Sequence, residues 1–342
     1  MEHQRLGHTG VSVSRFCLGA MMFGAWGNPD HDDSIAIIHA ALDAGINFID
    51  TADVYGQGES EEIVGKALGG GRRDDVILAT KFHNAMGDDP NRRGNSRRWI
   101  MRAVEDSLRR LNTDWIDLYQ VHRPDPRTDI EETLSALGDL VQQGKVRSIG
   151  HSTFPAGQIV EAQWVARDRH LQRFVTEQPP YSILVRAVEA DVLPTCSRHG
   201  MAVMSYSPLA GGWLSGRWRK DTGQQSSSRA ARLPERFDLS NPANQRKLDA
   251  VEQLAQLADE AGITLIQLAI AFVLNHPAIT AVLVGPRTME QLEGQLAAAD
   301  VVLDEAILDR IDEIVPPGTT INPADNSFDN PALEPAARRR AA

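Results

Sequence analysis

Residues 47–68 read NFIDTADVYGQGESEEIVGKAL, and the fold is decided here. Phe48 and Ile49 form a short apolar run that reads as a buried strand ending on Asp50. Thr51 to Gly58 follow as a polar, glycine-bearing loop that carries Tyr55. Glu59 to Leu68 then has the acidic first turn and the 3.6-residue apolar spacing of a helix. The unit is strand, loop, helix, with a carboxylate at the strand's C-terminal end and a phenol on the loop. Parallel α/β enzymes keep their chemistry at that end of their strands.

The same unit repeats outward in both directions. Strand patterns fall at Phe16 to Gly19, Asn47 to Asp50, Val76 to Lys81, Ile116 to His122, Val146 to Gly150, Phe174 to Gln178, Ala202 to Tyr206 and Ala281 to Gly285. Amphipathic segments lie between them: Asp33 to Ala44, Glu59 to Leu68, Ser96 to Leu111, Ile130 to Gln143, Pro155 to Asp168, Val188 to Arg198, and Asn244 to Glu260 with Leu265 to Leu274. Thr288 to Ala298 follows the eighth strand. Gly45, Gly144, Gly200 and Gly262 follow helical segments, where a helix C-terminus favours glycine. Eight alternating units predict an α/β fold with a parallel sheet and helices outside, closed into a (β/α)8 TIM barrel; an open doubly wound sheet is the runner-up.

Around this barrel, LGHTGVSVS near the N-terminus reads as a β-hairpin, and Asp304 to Val315 as one more helix. Residues 1–342 read as a single barrel domain. The segment 207–241, rich in Gly, Ser and Arg, is too long for an ordinary βα loop and reads as a mobile flap on the active face. The C-terminal tail, 316–342, dense in Pro, Asn and Ala, is expected to lie over the barrel or to be partly disordered.

Composition narrows the partners. At 342 residues and 42% hydrophobic the chain can build a sizeable core, and its net charge of -11 argues against a nucleic acid or an anionic membrane as the main partner. The basic clusters Arg217 to Lys220 and Arg338 to Arg340 are too short to reverse that. No apolar run approaches the ~20 residues that span a bilayer, and MEHQRLG lacks a signal peptide's hydrophobic region, so a soluble, cytoplasmic protein is expected. Cys17 and Cys196 fit a reducing compartment and read as small buried residues. The ten histidines show no HExxH pair or zinc-like spacing, so no metal site is expected.

The residues that close the strands are Asp50, Lys81, His122, Ser152, Gln178, Tyr206 and Gly285, and a barrel brings them to one rim. Each alone has an ordinary explanation: a solvated lysine, a histidine capping the loop before Pro124, an aspartate capping a helix. Together they have a chemistry. A phenol, with a pKa of about 10, is a poor acid near neutrality. Lys81 beside Tyr55 would lower that pKa, Asp50 would hold the ammonium charged and in place, and His122 would orient a substrate carbonyl. Such a group is a proton donor for carbonyl reduction.

With those residues in hand, the chain from about 3 to 315 resembles the aldo-keto reductase family. The likeness is carried by FIDTADVYGQGESEEIVGKAL at 48–68, ATKF at 79–82, DLYQVHRPDP at 117–126, SYSPLAGGWLSGR at 205–217 and VLVGPRTMEQLEGQL at 282–296. The resemblance implies a barrel that binds NADP(H), with Asp50, Tyr55, Lys81 and His122 as the catalytic tetrad. It also implies that Ser152, Thr153 and Gln178 hold the nicotinamide carboxamide and that Tyr206 stacks on the ring. Ser207, Leu209, Gly211 and Arg217 would cover the pyrophosphate, and Gly285, Arg287, Gln291 and Gln295 would hold the adenosine 2'-phosphate and adenine. Thr153 stands where many members have Asn or Arg, and Gly294 and Gln295 replace the usual Glu-Asn pair. A Rossmann site is not indicated, because GQGESE at 56–61 lacks the third glycine.

The implied partner is a small-molecule carbonyl substrate, with Trp26 and Phe82, and also Trp213 and Trp218, as candidates for an aromatic pocket wall. An alternative of another class is an NADPH-binding regulatory subunit like the potassium-channel β subunits, which share this barrel. A sugar-phosphate isomerase using Lys81 and Asp50 fits less well, since it leaves the segment 282–296 unexplained.

Overall fold

The computed structural model describes residues 1–223, 225, 228–326 and 333–339. Two short strands, β1 (His3–Arg5) and β2 (Ser12–Ser14), pair antiparallel as the expected hairpin. Eight parallel strands follow: β3 (Phe16–Gly19), β4 (Phe48–Asp50), β5 (Ile77–Phe82), β6 (Ile116–Val121), β7 (Val146–Ser152), β8 (Thr176–Gln178), β9 (Ala202–Ser205) and β10 (Ala281–Val284). They form a closed barrel in which β10 pairs with both β9 and β3. Closure settles the choice between barrel and open sheet.

The helices lie between the strands: α1 (His31–Asp43), α2 (Glu59–Ala67), α3 (Arg97–Leu111), α4 (Ile130–Gln142), α5 (Ala156–Asp168), α6 (Val192–His199), a short α7 (Ser228–Arg232), then α8 (Pro242–Glu260), α9 (Leu265–Asn275), α10 (Met289–Leu296) and α11 (Glu305–Ile314). Side chains cap many of them at the start, as Ser96 does for α3, and Thr264 with Gln267 forms a capping box on α9. Two starts differ from expectation. Pro242 opens α8 at the first helical position, where its missing N–H costs nothing, and a turn at Ala187–Glu189 delays α6 to Val192. No single helix among the described residues is long and apolar enough to cross a membrane.

Alternation along the strands sorts the interior into two levels. Cys17, Phe48, Ala79, Leu118, Ala202, Met204, Ala281 and Leu283 fill the lower barrel, where Leu6 and Val13 of the hairpin join them and close the N-terminal end. Two residues further along the same strand faces stand Asp50, Lys81, Gln120 and Gln178, a polar level above the apolar one. Gly150 leaves room in this wall: a Cβ there would sit 2.0 Å from Thr176 Oγ1. Cys17 and Cys196 are free and buried.

The long β9–α8 segment carries its own small core, in which Trp213 stacks on Trp218 at 4.1 Å and both stack on Phe237 at 6.0 Å. The tail beyond α11 crosses the barrel's flank: Arg186 N donates to Thr319 O, Ile321 N donates to Leu184 O, and Asn322 is buried. The rest of the expected tail, residues 327–332 and 340–342, falls outside the described residues, as do 224, 226 and 227 of the flap.

Candidate active site

At the C-terminal mouth of the barrel Lys81 is fully buried, and its ammonium uses each of its three donors. One goes to Asp50 Oδ1, one to Thr51 O at 2.9 Å, and one to Tyr55 Oη at 3.4 Å. Because the phenol oxygen accepts from Lys81, the Tyr55 O–H is left to point elsewhere. Asp50 is fixed in turn by Gln120 Nε2 at 3.0 Å and Gln178 Nε2 at 3.1 Å on its other oxygen. The Tyr55 and His122 rings meet edge to face at 5.8 Å, so the four residues singled out from sequence stand together.

Electrostatics corrects one expectation. Burial pushes the Tyr55 hydroxyl above its ordinary pKa; Lys81 opposes this and Asp50 adds to it, and desolvation wins. The phenol is held neutral, which a proton donor requires. Burial alone would push the Lys81 ammonium down, but Asp50 and Tyr55 together outweigh it and hold its pKa above the usual lysine value. His122 is pushed well below the ordinary histidine range by burial and by the positive charges of Arg123 and Lys81, so its imidazole is neutral. Asn84 Nδ2 lies 3.1 Å from His122 Nδ1. An amide N–H donating there places the ring proton on Nε2, which makes His122 a donor toward a substrate oxygen.

Asn84, Gln120 and Arg123 were not anticipated. Gln120 had a readable signal, since Leu118, Gln120 and His122 alternate on one face and a glutamine there must point inward. Arg123 donates to His122 O at 2.7 Å and to Thr153 Oγ1 at 3.0 Å, tying the β6 and β7 rims together. Ser152 Oγ donates to Gln178 O at 2.8 Å, and Thr153 adopts a left-handed backbone at φ 61. Ser152, Thr153 and Gln178 therefore form one ledge beside the tetrad.

Of the aromatic wall candidates, Trp26 stands 5.9 Å from Tyr55 with Arg232 over its ring at 5.1 Å. Phe82 does not belong to the wall. Its ring is fully buried against Tyr119 at 4.9 Å in the core outside the barrel, because it follows inward-facing Lys81 and must face the other way. Trp213 and Trp218 are buried within the flap's own core.

Tyr206 is half-buried at the mouth, with its hydroxyl unpartnered among the described residues. Ser207, Leu209 and Gly211 share one tight turn, in which Ala210 N donates to Ser207 O and Gly212 N to Leu209 O, each at 2.8 Å. Gly285 is exposed past β10; Arg287 N donates to Gln291 Oε1 at 2.9 Å, and Gln295 on α10 is buried with its Oε1 unpartnered. Arg217 is exposed, and its carbonyl accepts from Thr222.

A further arginine, which no sequence pattern marked, lies close to Gly211 and Met22. Arg229 has its pKa pushed down by burial and by the charges of Arg232, Arg236 and Arg287. Among the described residues no carboxylate pairs with Arg229, Arg232 or Arg287, and Arg287 makes no ion pair with Glu290. Guanidinium groups without a carboxylate partner among the described residues suit a phosphate-bearing ligand.

Comparisons with known proteins give the family. The profile of the Aldo/keto reductase family matches residues 15–316. The uncharacterized oxidoreductase YrpG of Bacillus subtilis is 41% identical over 92% of this chain and 96% of its own length. Aldo-keto reductase YhdN of the same organism is 39% identical over 86% of this chain and 87% of its own. A probable voltage-gated potassium channel subunit beta of Arabidopsis thaliana is 36% identical over 92% and 97%. With its closed barrel, its buried Lys81–Asp50 pair against Tyr55 and this match along nearly its whole length, the chain belongs to the aldo/keto reductase family.

Proposed function

We propose that the protein is an NADPH-dependent oxidoreductase that reduces aldehydes or ketones to alcohols, reversibly. The observation that carries this reading is the neutral Tyr55 hydroxyl, anchored through its oxygen by Lys81 and facing a neutral His122. NADPH, when bound, supplies the hydride. Tyr55 gives its proton to the carbonyl oxygen as negative charge develops there, and Lys81 stabilises the phenolate left behind. His122 donates from Nε2 to the same oxygen and fixes its direction. Asp50, held by Gln120 and Gln178, keeps the ammonium charged in a buried site. Arg229, Arg232 and Arg287 suit the cofactor's phosphates, Tyr206 suits the nicotinamide face, Gln295 suits the adenine, and the segment 207–241 would close over them.

Tyr55→Phe tests this. Turnover should fall by about 10²- to 10⁴-fold, the usual contribution of a positioned general acid, while the NADPH dissociation constant stays within a few-fold. Near-normal turnover would remove Tyr55 from the role. The identity with the Arabidopsis channel subunit supports one other reading, a cofactor-binding regulatory subunit. A panel of carbonyl compounds assayed with NADPH and with NADH separates the two: tight NADPH binding with no compound reduced would favour regulation.

A further inference from the structure

A cleft of about 280 Å³ lies between the Tyr55 loop, the β5–α3 loop and one face of α3. Asp53 and Gln57 line it from the first, Met86 from the second, and Trp99, Asp106 and Arg110 from the helix. Its carboxylates are unequally partnered. Arg110 Nε donates to Glu61 at 2.6 Å, and Asp106 carries Arg102 and Arg109. Asp53 is 1% exposed, and among the described residues neither of its carboxylate oxygens has a hydrogen-bond partner. Trp99 Nε1 is likewise buried and unpartnered. Two buried carboxylates, Asp53 and Glu61, thus lie near one guanidinium, Arg110, whose hydrogen bond goes to Glu61, while the cleft's other cation, Arg92, is exposed on the β5–α3 loop. Buried carboxylates are ordinarily paired or hydrogen-bonded.

We propose that this cleft is a second binding site, for a small organic cation whose ammonium or guanidinium N–H groups meet the Asp53 carboxylate. Met86, Ala103 and the Trp99 ring offer apolar walls for an alkyl stem. The cation reaches Asp53 as the two flexible uncharged side chains, Gln57 and Met86, swing aside. Asp53 and Gln57 stand two residues before and two after Tyr55, so the occupant braces the proton-donor loop from behind. Any effect on turnover rests on the role proposed for Tyr55; binding itself does not.

The site is linked to pH. Burial and the Glu61 charge push the Asp53 carboxyl well above the usual range; Arg110, the Val54 amide and Lys81 oppose this, though the Val54 N–H falls short of hydrogen-bond geometry. The other groups around it are Asp106 on α3, Arg92 on the β5–α3 loop and Tyr119 on β6, whose hydroxyl is pushed far above its ordinary value and stays neutral. A proton and the cation therefore compete for Asp53, and the cation binds more tightly as pH rises.

The test is calorimetric titration of the full chain with methylguanidinium and with ethylammonium, at about pH 6 and about pH 8. Potassium and neutral acetamide serve as controls. The expected result is saturable binding of one equivalent, tighter at the higher pH, with neither control competing. Asp53→Asn should weaken it by at least about tenfold, the loss of one charge-assisted contact, and remove the pH dependence, with the melting temperature unchanged or higher. Met86→Phe, which narrows the cleft without touching the buried charges, should weaken it as well. The proposal is overturned by absence of saturable binding to wild type, by equal affinity for acetamide or potassium, or by undiminished binding in Asp53→Asn. An Asp53→Asn chain that fails to fold also counts against it, because the carboxylate would then have a structural partner.

Discussion

The amide of Asn84 decides which nitrogen of His122 carries the proton, and so what that residue can do. Asn84→Leu removes the donor to Nδ1 and frees the other tautomer, so turnover should fall by about 10- to 100-fold with cofactor affinity preserved; an unchanged rate constant would mean the amide sets nothing. The depressed pKa of His122 gives a second expectation, with its sign fixed. The imidazole is neutral in the folded chain below the pH at which a free histidine gains its proton, about 6.5, so the rate should show no break there. The same group binds fewer protons folded than unfolded. Its contribution to stability is therefore complete above about 6.5 and is lost as pH falls toward its folded value. A pH–rate profile bending near 6.5 would contradict the burial argument. Asp50, Lys81 and His122 were legible because each stands at or next to the C-terminal end of a strand, on its inward face. The same alternation excludes Phe82, which sits one residue beyond Lys81. Asn84 and Arg229 were not legible, since loops have no period that fixes where a side chain points.

Among the elements, α2 and α3 make the closest approach that the sequence leaves unmarked. A Cβ on Gly65 would lie 2.7 Å from the backbone of Arg110 and Leu111, so the glycine is what lets the two helices touch. Helix propensity alone favours alanine at an interior position by about 1 kcal/mol. Contact with unyielding backbone reverses that preference, and Gly65→Ala should destabilise by about 1–3 kcal/mol in denaturant titration. A stabilised variant would show that the helices can part at no cost. The strands and most helices were readable from period and capping, with their ends displaced by a few residues. The start of α8 at Pro242 and the turn before α6 depend on local hydrogen bonds, which apolar spacing does not record.

At the scale of the molecule, the tail fastens the long segment after β9 to the barrel. Lys247 is fully buried; its ammonium donates to Arg236 O at 2.7 Å, pairs with Asp325 at 2.9 Å and lies over the Trp213 ring at 4.5 Å. Asn322 adds donors to Glu235 O and Asn244 Oδ1. Lys247→Met should cost about 1.5–3 kcal/mol, the range for losing a hydrogen bond to a charged group, read from the urea midpoint; a change below about 0.5 kcal/mol would show that the latch carries no load. Composition indicated a tail that lies over the barrel or is partly disordered, but nothing in it joined residue 247 to residue 325. Such pairings are set by the closed fold. Closure has a consequence during synthesis as well. Val282 must find Phe16, so until residue 284 has cleared the ribosome the nascent chain carries open sheet edges on β3 and on its newest strand. Folding of the ring waits on translation of its last strand, and in that interval the unfinished sheet is most exposed to pairing with another chain.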